Sequence, residues 1–211
     1  MTKLPSGVRE FREILNLLRQ RKSYPRPIRA IQDRKVFTIL PQNSGHGESC
    51  GIYSLSPSDE QVEKFLKEIA DLKPCAGESK RHIPKPKRDH LATALWIELG
   101  RTAVLLGSDL ETVPGNSSGW SAVVASLNKP SGRAGIFKIP HHGSITAHHD
   151  GVWNQMLSTN STAILTPFVK GSTKLPTQEN VIRILNKINS AYSASLIIGR
   201  EKKDVPLRSK R

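Results

Sequence analysis

The 211-residue chain is poor in the features that mark several large classes of protein. It has two cysteines, Cys50 and Cys75, and their spacing makes neither a metal knuckle nor a disulfide framework. Aromatic residues make up 5% of the chain, too few to interleave the basic segments as a base-stacking platform. Apolar runs such as Ala163–Leu165 are far shorter than the ~20 residues that span a bilayer. The N-terminal Met-Thr-Lys-Leu-Pro leads into charged sequence without the apolar core of a secretory signal. These absences lead us to expect a cytoplasmic protein with no membrane segment. Acidic residues are also scarce: 18 Asp+Glu face 32 Lys+Arg, for a net charge of +14. Such an excess favours a polyanionic partner, nucleic acid or nucleotide, through release of condensed counterions. Simple solubility would explain the charge equally well.

The hydrophobic content of 36% is enough for one core. Residues 1–35 form a basic segment with ten Lys/Arg and a helix over 8–19, whose apolar face holds Val8, Phe11, Ile14, Leu15 and Leu18. Tyr24-Pro25-Arg26-Pro27 stops it. Residues 36–199 read as the folded domain, and 200–211 as a basic tail. Strands are expected at Val36–Leu40 and Gly51–Leu55. Ser58-Asp59-Glu60-Gln61 forms a capping box before a helix carrying Val62, Phe65, Leu66 and Ile69. Residues 73–90 are a proline-broken basic loop. Leu91–Leu99 and Thr102–Leu106 make a hairpin about Gly100-Arg101, with Leu91, Thr93, Leu95, Ile97 and Leu99 sharing a face. Beyond it come a helix at Trp120–Leu127, a strand at Ala134–Ile139, a short helix at Val152–Leu157 and a strand at Ala163–Pro167. A helix capped by Thr177 follows, with a Val181/Ile182/Leu185/Ile188 stripe, and a last strand at Ser195–Gly199. Alternating strands and helices put the fold in the α/β (α+β) class.

Chemistry concentrates where polar residues directly follow apolar strands. Leu105-Leu106-Gly107-Ser108-Asp109-Leu110-Glu111 can aim the Asp109 carboxylate into a site; alone, such an Asp more often caps a turn. Phe137-Lys138-Ile139-Pro140-His141-His142-Gly143-Ser144, with His148 and His149 beyond, puts four of the seven histidines within nine residues. Imidazole is the commonest transition-metal ligand, and a strand terminus fixes it at little entropic cost. His148 and His149, at a helix start, read instead as ordinary loop residues.

The two segments together resemble the second half of the metallo-β-lactamase fold, in the branch that includes the hydrolase domain of ComEC-type DNA-uptake proteins. Ser54–Asp59 before a helix, Asp89–Leu95 opening a hairpin, Thr166-Pro167-Phe168 and Leu175-Pro176-Thr177 extend the likeness over residues 36–198. The resemblance implies a four-layer αβ/βα sandwich with a zinc or manganese site at one edge. It implies that Asp109 bridges two metals, that His141 or His142 completes the second, and that His90 supplies a further ligand. His142 or Ser144 would orient a ligand or leaving group in hydrolysis of a phosphodiester or related ester. The family's His-x-His-x-Asp-His segment is absent, and His46 is the only histidine before residue 82. Two readings follow. The chain is either the C-terminal portion of a metal-dependent hydrolase, inactive until a second chain supplies the N-terminal half, or a non-catalytic subunit that binds nucleic acid or a partner. The first would leave a sheet face or edge uncovered.

Overall fold

The computed structural model describes residues 6–20, 28–40, 48–71 and 91–195. The basic loop at 73–90 with His90, the tail at 200–211, and His46 lie outside the described residues.

The fold is mixed α/β, as its alternating pattern suggested. Helix α1 (Ser6–Gln20) precedes a hairpin of β1 (Arg34–Ile39) and β2 (Cys50–Ser54), then α2 (Asp59–Asp71). A second hairpin, β3 (Leu95–Leu99) and β4 (Thr102–Leu106), leads through α3 (Gly119–Ala125) to β5 (Ala134–Lys138). A π-helical turn at Val152–Met156 runs into β6 (Leu157–Leu165). The ribbon β7 (Phe168–Lys170) and β8 (Thr173–Leu175), α4 (Gln178–Leu185) and β9 (Ser190–Ser193) complete the described chain. Among the described helices none is long and apolar enough to cross a membrane.

Seven strands form one sheet in the order β1-β2-β3-β4-β5-β6-β9. The hairpin half is antiparallel and the β4-β5-β6-β9 half parallel. Paired residues of neighbouring strands point to the same side of a sheet, so the register sorts the side chains into two faces. One row runs Lys35, Tyr53, Trp96, Leu105, Phe137, Ala163 and Ala191 across all seven strands. From Trp96 onward every member of it is buried. Trp120 and Val123 of α3, Val152, Trp153 and Met156 of the π-turn, and Ile184 of α4 join the same core cluster. Parallel crossovers require this covering layer, and all of it falls on one side.

The neighbouring rows point the other way. Phe37, Ile52, Ile97, Val104, Ile136, Thr162 and Ser190 form one; Arg34, Ser54, Leu95, Leu106, Lys138, Ile164 and Tyr192 form the next. No apolar side chain in either row is buried, and Phe37 and Tyr192 are about half exposed at 48% and 54%. Among the described residues the packed part is therefore two layers, a sheet with α3, the π-turn and α4 on one face, where the resembled fold has four.

Two local expectations need adjusting. The hairpin's buried face is that of Ala94 and Trp96, whereas Leu95 and Ile97 are half-buried on the open side and Leu99 is exposed. The segment before β3 is held by the Ser56 hydroxyl, which donates to Ala92 O and accepts from Ala94 N, so regular pairing starts only at Leu95. On α4 the buried positions are Asn180 and Ile184, with Ile188 just beyond, while Ile182 is 52% exposed. The described chain ends with β9 and Ser195, and the strand expected at Ser195–Gly199 lies, past Ser195, outside the described residues.

Candidate functional site

The site forms where β4 and β5, adjacent and parallel, end side by side. Their outgoing loops are stitched together by backbone bonds from Gly107 N to Lys138 O and from His141 N to Ser108 O, at 3.0 and 2.8 Å. Gly107 is required there, because a Cβ would sit 2.8 Å from Pro140 Cβ and 2.9 Å from Lys138 O. Ser108, His141 and His142 all have positive φ, at 49°, 43° and 53°. Left-handed conformations at non-glycine residues cost roughly 1–3 kcal/mol each and persist where surrounding bonds fix them. Strain of this kind is concentrated at these loops: Asp33 is the one other such residue among those described.

That backbone sets the side chains. His142 Nδ1–H donates to Thr166 O at 2.7 Å, which fixes the tautomer and leaves the Nε2 lone pair free. Nε2 lies 3.8 Å from Asp109 Oδ1. Phe168 stacks on the ring at 4.9 Å, blocking rotation. A backbone carbonyl on the far nitrogen is the usual orienting device of a ligating histidine. His141 turns elsewhere: its Nδ1 lies 3.3 Å from Glu111 Oε1, both side chains about one-fifth exposed. Of the two imidazoles, His142 is therefore the one that meets Asp109. Lys138, half-buried next to this edge, donates to Ile139 O at 2.9 Å. Burial holds its ammonium below the usual lysine range, and the Asp109 carboxylate opposes the drop.

Arg183 of α4 braces the loop from behind. One guanidinium nitrogen donates to Gly143 O at 2.7 Å and to Asn180 Oδ1 at 3.2 Å, the other to His148 Nδ1 at 2.7 Å. Trp153 Nε1–H also donates to His148 Nδ1, at 3.1 Å. Burial first, then the Arg183 charge, push His148 below the usual histidine value, against Asp150, which lies 3.3 Å from its Nε2. His149 accepts from Gly151 N at 3.0 Å and is likewise lowered by burial. Both are thus held by hydrogen bonds within and against this turn. A small cavity behind the loop is lined by Trp120, Phe137, Ser144, His148, Trp153 and Arg183 among others.

Asp109 and His142 thus converge, and Ser144 caps the next turn by accepting from Thr146 N. Among the described residues no group of three or more His, Cys, Asp or Glu side chains could hold a metal ion. Two donors do not fill the four positions zinc requires, so the described residues do not fit a resident zinc or manganese ion. Thr166 and Phe168 as positioning groups, and Arg183 as the brace of the loop, emerge only from the fold. A carbonyl partner leaves no side-chain signal, and a lone arginine on a helix carries none.

Scanned against family models, curated proteins and solved structures, the chain matches none at a significant level. Class is accordingly assigned from geometry: a mixed α/β sheet protein with a carboxylate–imidazole pair at the carboxyl ends of two parallel strands.

Proposed function

We propose that the chain supplies one side of the site of a metal-dependent hydrolase acting on phosphodiester or related ester bonds, with the remaining donors carried by another polypeptide. The observation that carries this reading is the His142–Asp109 pair: an imidazole locked by Thr166 O, its free nitrogen 3.8 Å from a carboxylate. Crevices outside the carboxyl ends of parallel strands are where α/β proteins place their sites. Lys138 beside the pair, and the net charge of +14, favour an anionic substrate. On this reading Asp109 and His142 are donors, and Glu111 holds His141 in place. The chain alone is inactive.

Calorimetric titration of the purified chain with zinc and with manganese tests the reading. The expected result is weak binding that disappears in Asp109→Ala and in His142→Ala. Tight binding that survives both substitutions, or none in the unsubstituted chain, would contradict it. The alternative reading, a non-catalytic nucleic-acid-binding subunit, draws on the exposed Lys170 and Lys174 of the β7–β8 ribbon, which adjoins His142 through Phe168. It predicts salt-sensitive DNA or RNA affinity unchanged by chelators and by Asp109→Ala.

A further inference from the structure

We infer that His148 and Arg183 form a proton-operated latch on the loop that carries His142, closed while His148 is neutral and opened when it takes up a proton. The inference concerns the loop and not what the site binds, so it stands with or without the hydrolase reading.

The hydrogen-bond pattern fixes the closed state. Arg183 Nη1–H and Trp153 Nε1–H both reach His148 Nδ1, at 2.7 and 3.1 Å. Neither a guanidinium nor an indole nitrogen can accept, so Nδ1 keeps its lone pair and the ring proton sits on Nε2. Nε2–H then faces Asp150 Oδ1 at 3.3 Å. A second proton has one place to go, Nδ1, where two donors already point. Taking it up breaks both bonds and sets an imidazolium against a guanidinium.

The surroundings do not absorb that charge. Facing His148 are Arg183 and Lys187 of α4, Asp150 of its own turn beside His149, and the Trp153 indole of the π-turn. Thr112 Oγ1–H donates to the His148 carbonyl at 2.9 Å. Asp150 is the one anion in this set, and Lys187 Nζ already holds its Oδ1 at 2.6 Å. Burial and the Arg183 charge keep His148 below the usual histidine range, so the latch is closed at neutral pH and opens in mild acid.

Opening reaches the site through Arg183. Its guanidinium is one rigid fork: while Nη1 meets His148, Nη2 donates to Gly143 O at 2.7 Å and to Asn180 Oδ1 at 3.2 Å. Repulsion at Nη1 therefore draws Nη2 away as well. Gly143 is buried against the core, where a Cβ would meet Leu165 Cδ1 at 3.0 Å, so a carbonyl that loses its donor must turn to find another. His141, His142 and Gly143 form one turn with φ of 43°, 53° and 81°, and the two histidine conformations persist only while outside bonds hold them. Turning Gly143 moves the His142 ring off Thr166 O and away from Asp109, the groups it meets in the closed state.

Nitrogen-edited NMR of the full chain, titrated from about pH 8 to about pH 5, tests the latch. The Gly143 and Ser144 amides should shift with the midpoint of the His148 ring. Below that midpoint His142 Nδ1–H should exchange with water about tenfold faster than in His148→Asn at the same pH, as for loss of one charged hydrogen bond. His148→Asn keeps an acceptor near the Nδ1 position and does not titrate, so its loop signals should not follow pH. Arg183→Met should leave the loop loose at every pH and raise the His148 midpoint, because the opposing charge is gone. Gly143 and Ser144 amides that stay still while His148 titrates would overturn the inference, as would an identical acid response in His148→Asn. Should circular dichroism show His148→Asn unfolded, the coincidence of midpoints and its loss in Arg183→Met decide the question. No metal enters these measurements, so their failure leaves the hydrolase reading standing, and absence of zinc affinity leaves the latch standing.

Discussion

The two faces of one sheet, built from alternate residues of the same strands, have opposite fates. Trp96 is buried and its neighbour Ile97 is not; Leu105 is buried and Val104 is not; Phe137 is buried and Ile136 is not. Hydropathy does not separate them, since both sets are apolar. What separates them is supply: α3, the π-turn and α4 all return over the same side, and among the described residues no element on the other side has apolar residues that join the core. Burial in a sheet protein is thus a property of connectivity as much as of residue type.

Paired substitutions test that contrast most strongly. Trp96→Ala should cost about 3–5 kcal/mol in urea unfolding, as for any large side chain removed from a packed core. Ile97→Ala, one residue away, should cost about 1 kcal/mol or less because little packing is lost. Equal losses would mean that both faces are packed in the isolated chain.

A smaller effect is expected where the covered side supports the site. Arg183→Met removes the bonds to Gly143 O and to His148 at a half-buried position, and should cost about 1–3 kcal/mol. In the same variant the His142 Nδ1–H signal, sharp in nitrogen-edited NMR spectra of the unsubstituted chain, should broaden as the loop loosens. An unchanged signal would show that Thr166 O and Phe168 hold the ring without help.

The smallest effect is the dependence on pH. His148 has a folded pKa below its ordinary value of 6.5, so the native state binds fewer protons than the unfolded chain near neutrality. Its contribution is fully present above pH 6.5 and is lost as pH falls through the lower folded value. Urea midpoints should therefore decline as pH falls from 6.5 through the folded value, and His148→Gln should flatten this part of the profile. A profile that rises toward acid, or is identical in both proteins, would be inconsistent with the Arg183–His148–Trp153 contact.

Much of this arrangement could be read from local chemistry. Ser58 does cap α2, with Gln61 N donating to Ser58 Oγ, and Thr177 caps α4 by accepting from Asn180 N. The hairpin about Gly100 pairs as its turn demands. Failures occurred where tertiary structure overrides pattern. Leu91–Leu99 is apolar on both faces, so alternation could not say which one α3 would cover. On α4, Asn180 is buried because it accepts from Arg183, a polar burial that hydropathy hides and that shifts the stripe away from Ile182. The ribbon β7–β8 has three-residue strands, too short for any period to register. At the site, residue types pointed to Asp109 and the histidine pair, but the choice of His142 over His141 depends on backbone turns that no spacing rule encodes. His90 lies outside the described residues.

Carbene footprinting of the purified chain addresses the central contrast directly. Photolysis of a small diazirine should label Ile97, Val104 and Ile136 heavily while Trp96, Leu105 and Phe137 stay unmodified. Protection of both sets would show that the open face is already covered within the chain itself, and the contrast between the two faces would fail.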